Sequence, residues 1–171
     1  PDKKYILAID PSFSNSPSSD YFAMSVLELD EEKTNESTLV HAYAVAGGDL
    51  KDHIKYLHYL VTHCNIVLLI IDNAGYQLID SANESERLWD SRSNLKFFNF
   101  NSDKTGNDYQ QVLLNAKSEY KPKENVICFK QLFSSTFLRE ANEYLQASID
   151  HKRIWFASRT AACGSFFDKV S

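Results

Sequence analysis

The sequence predicts an α/β protein with a mixed central β-sheet flanked by helices. Three observations support this prediction. Short apolar runs alternate with short polar turns in the N-terminal part, as in an antiparallel three-strand meander. An amphipathic helix and a strand that is apolar on both faces follow, as in a parallel crossover. Helical patterns and short apolar runs then alternate toward the C-terminus.

The first three strands are expected at Tyr5–Asp10, Phe22–Leu29 and Leu39–Ala46. The first of these runs is apolar and ends in a carboxylate followed by Pro11, which is typical of the end of a buried strand. The intervening stretches, 12–19 and 30–37, are polar and have the composition of loops. Short polar connections between consecutive strands favour antiparallel pairing.

A helix and a second buried strand are expected next. Gly47-Gly48 breaks the chain, and Asp49 is a suitable N-cap because its carboxylate accepts hydrogen bonds from the first N–H groups of a helix. Apolar residues then recur at helical spacing as far as Cys64. The run Ile66–Asp72 is apolar on both faces, which predicts a central parallel strand, and it too ends in a carboxylate.

The rest of the chain predicts alternating helices and strands. Helices are expected at Gly75–Asn83, at Tyr109–Tyr120 and around Phe137–Ile149. Strands are expected at Leu95–Phe100, Val126–Phe129 and Ile154–Ala157. This order, a meander joined to parallel strands by helical crossovers, is that of the ribonuclease H-like fold. Because no repeat or long linker divides the chain, we expect residues 1–171 to form one such domain. Since the first residue is Pro rather than Met, we expect a C-terminal fragment of a longer protein.

Composition excludes several classes of protein. The 171 residues carry a formal net charge of −5, which argues against a stand-alone reader of duplex DNA with a basic patch. The three cysteines are widely spaced and include no C-x-x-C pair, so we interpret them as reduced thiols of an intracellular protein. No apolar run reaches the ~20 residues of a membrane span. No signal peptide and no phosphate-binding P-loop are present in this sequence.

Asp10 and Asp72 are the main candidates for chemistry. Each ends a buried strand, and these two strands are neighbours in the predicted fold, so their carboxylates are expected to face each other. Two like charges at short distance repel unless a cation lies between them. Oxygen-only sites suit Mg²⁺ or Mn²⁺. The alternative is that each Asp merely begins a turn or caps a helix.

Other polar residues are weaker candidates. Asp20 could reach the same carboxylates from the start of the second strand, or be a plain turn residue. Gly75 could allow a tight turn into the following helix, although a plain helix-start residue is the favoured interpretation. His53 and His58 are five residues apart, which is not the spacing of a helical zinc pair, so we place them on a helix surface. The basic group could contact DNA or simply be a solvated helix end; its members are Lys117, Lys121 and Lys123.

The motifs in this order resemble the nuclease domain of the large subunit of viral, phage-type DNA-packaging terminases. The residues that carry the resemblance are Ala8–Ser12, Ser19–Ala23, Ile70–Gly75 and Lys152–Ser158. Each motif is short, so the resemblance depends on the order and spacing of the motifs along nearly the whole chain. In that family, an apolar strand ending in an acidic residue, followed by a polar residue and Gly, forms the second acidic motif.

The resemblance implies a metal-dependent endonuclease that cleaves concatemeric double-stranded viral DNA during genome packaging. Asp10 and Asp72 match the first two acidic ligands of a two-metal site that holds Mg²⁺ or Mn²⁺. The third ligand of the family is expected beyond residue 171, and Asp168 is a fallback whose surroundings do not match the motif. The implied partners in the parent protein are an ATPase motor domain, a portal and a small terminase subunit. The implied location is the interior of the host cell, the cytoplasm of an infected bacterium for a phage.

Three other functions remain open from the sequence. The first is another ribonuclease H-like nuclease, such as a junction resolvase or a transposase core, which would prefer branched DNA. The second is a nucleotide-binding module of the actin or sugar-kinase type, which would need a second Gly-rich loop, whereas the chain has only five glycines. The third is a non-catalytic docking domain, which would show no metal-dependent cleavage.

Overall fold

Seven strands and three helices are described in the computed structural model. It describes residues 3–14, 16, 18, 20–30, 32–33, 36–72, 75–85, 96–101, 125–131 and 133–156. The strands are β1 (Lys4–Asp10), β2 (Tyr21–Leu29), β3 (Ser37–Ala46), β4 (Ile66–Asp72), β5 (Lys96–Asn101), β6 (Asn125–Gln131) and β7 (Ile154–Phe156). The helices are α1 (Leu50–His63), α2 (Tyr76–Glu84) and α3 (Ser135–Asp150).

The strands form one mixed sheet in the order β5-β6-β4-β1-β2-β3-β7. β1, β2 and β3 are an antiparallel meander, and β4 is parallel to β1 on its other side. β6 is parallel to β4, and β5 is parallel to β6. The predicted ribonuclease H-like α/β fold is therefore confirmed, with the two fully apolar strands side by side in the middle of the sheet.

The order of the last three strands is not evident from the sequence. β6 lies beside β4, and the earlier strand β5 lies at the sheet edge, so the chain moves outward and then returns. β7 pairs with β3 at the opposite edge, where Ser37 is aligned with Ile154. The segment from β6 to β7 therefore passes across four strands of the sheet, carrying α3 between them.

The hydrophobic core lies between one face of the sheet and the helices α1 and α2. Alternate residues of the central strands, such as Leu7, Ile9 and Ile71, point to this face and are buried. Leu57 and Leu60 of α1 are fully buried in the same core. At roughly 1.5–3 kcal/mol for each buried side chain of this size, this one face supplies much of the driving force for folding.

The connection between β3 and α1 follows from two local features. Gly47 and Gly48 have φ angles of 72° and 118°, a region that L side chains rarely adopt. Asp49 then caps α1, since its carboxylate accepts a hydrogen bond from the Lys51 N–H at 3.0 Å. The predicted N-cap is thereby confirmed, and the start of α1 is fixed beside the end of β3.

The placement of His53 and His58 on a helix surface is wrong. Both are buried, with exposed fractions of 2% and 4%. His53 stacks on the Phe22 ring at a centroid distance of 3.8 Å, and burial lowers its pKa. Burial lowers the pKa of His58 to about 4, against the weaker opposing effect of a hydrogen bond to the Ala82 backbone. Both residues lie within the apolar stripe of α1, where a neutral imidazole packs as an aromatic ring.

Several sequence predictions concern residues outside the described part of the chain. These are the helix at 109–120, the lysines Lys117, Lys121 and Lys123, and the fallback ligand Asp168. Within the described residues, no helix is both long and apolar enough to cross a membrane.

Candidate metal centre

Asp10 and Asp72 end the central strands β1 and β4, so both lie at the carboxyl-terminal ends of these strands. The parallel register aligns Ile9 with Ile71, so the two Asp residues follow at equivalent positions on neighbouring strands. Backbones of neighbouring strands are ~4.8 Å apart. Ile9 and Ile71 are both buried in the core below α1, so by alternation both carboxylates project from the opposite face.

The electrostatics of Asp10 reflect this proximity. Partial burial raises the pKa of the Asp10 carboxyl above its ordinary value, and the negative charges of Asp72 and then Asp20 raise it further. Both effects penalise the ionised form. Asp72 and Asp20 thus both act on Asp10, although the three residues come from two strand ends and a loop. A cation at this edge would relieve the repulsion.

Asp20 lies directly before β2, at the same edge of the sheet. Tyr21 is aligned with the end of β3, and Ala23 is aligned with Asp10. Asp20 therefore lies about three residues beyond Asp10 in the direction of β1, beside the loop that follows β1. Its charge acts on Asp10, as noted above, but within the described residues no group of three His, Cys, Asp or Glu side chains is close enough to hold a metal ion.

Gly75 fixes the approach of the two strand-end segments. A Cβ at this position would overlap the ring of Pro11 and would lie 2.8 Å from Ile71 Cδ1. The glycine has a φ of −89°, which any residue adopts. Gly75 is the N-cap of α2, so its interpretation as a plain helix start is confirmed. Gly75 is also needed for space, because it lets the start of α2 lie against the residue that follows Asp10.

A cavity of about 380 Å³ opens beside Asp10 on the face of the sheet opposite to α1. We call this surface the alanine face; its residues are Ala8, Asp10, Ala23, Ser25, Ala42, Ala44 and Ile70. Phe133, which precedes α3, closes one side of the cavity and is 39% exposed. Its ring is parallel to that of Phe137 at a centroid distance of 5.5 Å.

Sequence reasoning missed Phe133 and the alanine face. A period-2 pattern of small residues was readable in β2 and β3, where Ala23, Ser25, Ala42 and Ala44 occupy alternate positions. Small side chains on one face of neighbouring strands indicate that something approaches the sheet closely there. Phe133 had no local signal, because its position over the sheet depends on the long path from β6 to β7.

Comparison with known proteins gives a distant structural likeness. No protein-family model matches the chain, and no sequence of a curated protein matches it. Among solved structures, the chain is similar to the g2p (large terminase) nuclease domain from the bacteriophage SPP1, whose crystal structure contains bound Mn. The identity is 13%, the TM-score is 0.38, and the match covers 81% of this chain and 67% of that one.

Proposed function

We propose that the chain is a divalent-metal-dependent DNA endonuclease, a phosphodiester hydrolase. The observation that carries the proposal is the pair Asp10 and Asp72, which project from one face of the sheet at the ends of adjacent parallel strands. Carboxylates placed so that they repel each other are costly in a structural role and useful in a metal site.

The chemistry of these side chains fits Mg²⁺ or Mn²⁺. Carboxylate oxygens are the ligands that both ions prefer, and Mg²⁺ is often held by one or two carboxylates together with waters and substrate phosphates. Asp10 and Asp72 would hold the ion, and Asp20 adds negative charge nearby. When bound, such ions activate water for attack on phosphorus and stabilise the leaving oxygen.

The residues of this chain have three tasks in that reaction. Asp10 and Asp72 hold negative charge at a fixed position, and the buried strands beneath them keep that position rigid. Gly75 leaves room for the ring of Pro11 beside the two strand ends. Burial and the neighbouring carboxylates raise the pKa of Asp10, and a bound cation would favour its ionised form.

The finer proposal is cleavage of concatemeric double-stranded viral DNA during genome packaging inside the host cell. It is supported by the terminase-like motifs of the sequence. In that setting the parent protein would add an ATPase motor domain and would work with a portal and a small subunit. A third acidic ligand beyond residue 171 would complete a two-metal site, and Lys117, Lys121 and Lys123 would contact the DNA backbone.

The test is a plasmid-cleavage assay with Mg²⁺ or Mn²⁺, with EDTA as a control. Asp10→Asn and Asp72→Asn keep the side-chain shape and remove the charge, so cleavage should fall at least ~100-fold for each. The assay should use the parent protein, because the chain alone is expected to cut weakly if its third ligand lies elsewhere.

Asp30→Asn is the matched control. Asp30 follows β2 at the opposite end of the strands from Asp10 and Asp72. Its carboxylate accepts hydrogen bonds there from the N–H groups of Glu32 and Lys33. The substitution keeps an acceptor and should leave cleavage unchanged. Cleavage in EDTA, or undiminished cleavage by Asp10→Asn, would contradict the proposal. Preference for a four-way junction over linear DNA would instead favour a junction resolvase.

A further inference from the structure

The cavity beside Asp10 has walls of two different kinds. Its floor is the alanine face, where Ala42 and Ala44 are exposed and no bulky side chain from β2 or β3 fills the space. Its side wall is the ring of Phe133, supported from behind by the parallel ring of Phe137. A flat ligand could therefore lie on the sheet and contact an aromatic face.

The size and the lining restrict what fits there. A volume of about 380 Å³ falls in the ~300–1,000 Å³ range of cavities that bind small molecules or single groups. The lining is mostly apolar, and among the side chains of the alanine face Asp10 and Ser25 are the polar ones. Such a lining suits a planar aromatic group with few polar atoms more than a sugar or a second phosphate.

We propose that this cavity receives an unpaired nucleobase of the DNA strand whose phosphate the cation at Asp10 and Asp72 would hold, and that Phe133 stacks on that base. The proposal rests on the proposed function and names the form of DNA that the site prefers. Asp10 belongs both to the cavity and to the carboxylate pair, so a base in the cavity and the adjoining phosphate at the carboxylates are neighbouring parts of one strand.

Stacking would make the recognition tolerant of sequence. Every base has a π-face, and the cavity offers few polar groups to read base edges. The chain should therefore prefer DNA with a base that is already unpaired, because flipping a paired base costs free energy. An abasic nucleotide at the same place should gain no affinity from stacking, because it has no base.

The experiment measures binding of two labelled duplexes to the 171-residue chain by fluorescence anisotropy, in low salt with Ca²⁺, a cation that carboxylate oxygens bind. One duplex contains a single bulged adenine, and the other contains a bulged abasic residue at the same place. We expect about tenfold tighter binding of the bulged adenine, since stacking of one base on an aromatic side chain is worth about this much. Phe133→Ala and Phe133→Leu should both remove the difference, and Ala42→Leu should do so by filling the floor.

Tyr144→Ala is the control, because it removes another exposed ring from α3 that does not line the cavity. This variant should keep the full preference. The melting temperature of each variant is measured as a check of folding, and Phe133→Leu, which keeps apolar bulk, replaces Phe133→Ala if the alanine variant unfolds. Equal affinity for the two duplexes, or binding to neither, overturns the proposal. A metal-dependent cleavage assay run separately on both duplexes tests the nuclease function, so the two ideas can fail independently.

Discussion

At the scale of single residues, Gly75 and Pro11 pack closely together beside the two carboxylates. Gly75 follows the second carboxylate, and its missing side chain leaves room for the ring of Pro11, which follows the first. Gly75→Ala should lower the free energy of unfolding by about 1–3 kcal/mol, because a proline ring and a buried Ile71 cannot move away easily. Chemical denaturation measures this loss.

A double substitution identifies the cause. Pro11→Ala removes one of the two obstacles, so the cost of Gly75→Ala should become smaller in the Pro11→Ala background. Equal costs in both backgrounds would mean that the overlap with Pro11 is not what constrains position 75.

The charge of Asp10 gives a second prediction at this scale. Its pKa is raised in the folded state, so ionisation is less favourable there than in the unfolded chain, and stability falls as pH rises from about 3.8 through the raised value. Asp10→Asn should therefore raise the Tm of the metal-free protein at pH 7 by roughly one to a few degrees. Differential scanning calorimetry in EDTA measures the shift, and a lower Tm would argue against repulsion at this edge.

At the scale of elements, the sequence predicted most of the helices and strands that the structure describes. The predicted strand Ile66–Asp72 was correct at both ends, because a run that is apolar on both faces is clearly bounded by the polar residues around it. β1 begins one residue before and β3 two residues before the predicted starts, since pairing extends strands beyond their apolar runs. The neighbours of β5, β6 and β7 were not predicted, because strand order depends on contacts distant in sequence.

α1 depends on its N-cap. Asp49→Ala removes the acceptor for the Lys51 N–H and should cost about 1 kcal/mol of stability, whereas Asp49→Asn should cost only a few tenths. Urea denaturation of the two variants at pH 7 measures both values. A similar loss for Asn and Ala would indicate that charge rather than capping matters at this position.

At the scale of the whole molecule, three buried histidines make the fold sensitive to acid. Burial lowers the pKa of His41, His53 and His58, while the charges of Asp52 and Asp49 partly oppose this for His53. His41 is also hydrogen-bonded to the Tyr56 hydroxyl. All three imidazoles pack on or within α1 and the adjoining strands, so protonation would act on one common core.

Stability should therefore fall as the pH decreases. Between the ordinary pKa of 6.5 and the folded value of about 4 for His58, the unfolded chain binds more protons than the folded protein, so the free energy of unfolding decreases toward acid. His58 alone should contribute a loss on the order of 2 kcal/mol, with His41 and His53 adding to it.

Urea denaturation from pH 7.5 to pH 4.5 measures this slope. His58→Gln should flatten it, even if that variant is less stable at neutral pH. His63→Gln should leave it unchanged, because His63 is exposed at the end of α1. A slope that stays the same without His58 would contradict the assignment.

The place of β1 in the sheet also affects how the chain can be made. β1 is synthesised first, yet its neighbour on one side is β4, which follows only after β2, β3 and α1. Until Ile66–Asp72 leaves the ribosome, the nascent meander has an open apolar edge with unpaired backbone groups, a state prone to association with other chains. The arrangement that unites the two carboxylates therefore leaves β1 without its second neighbour throughout this interval of synthesis.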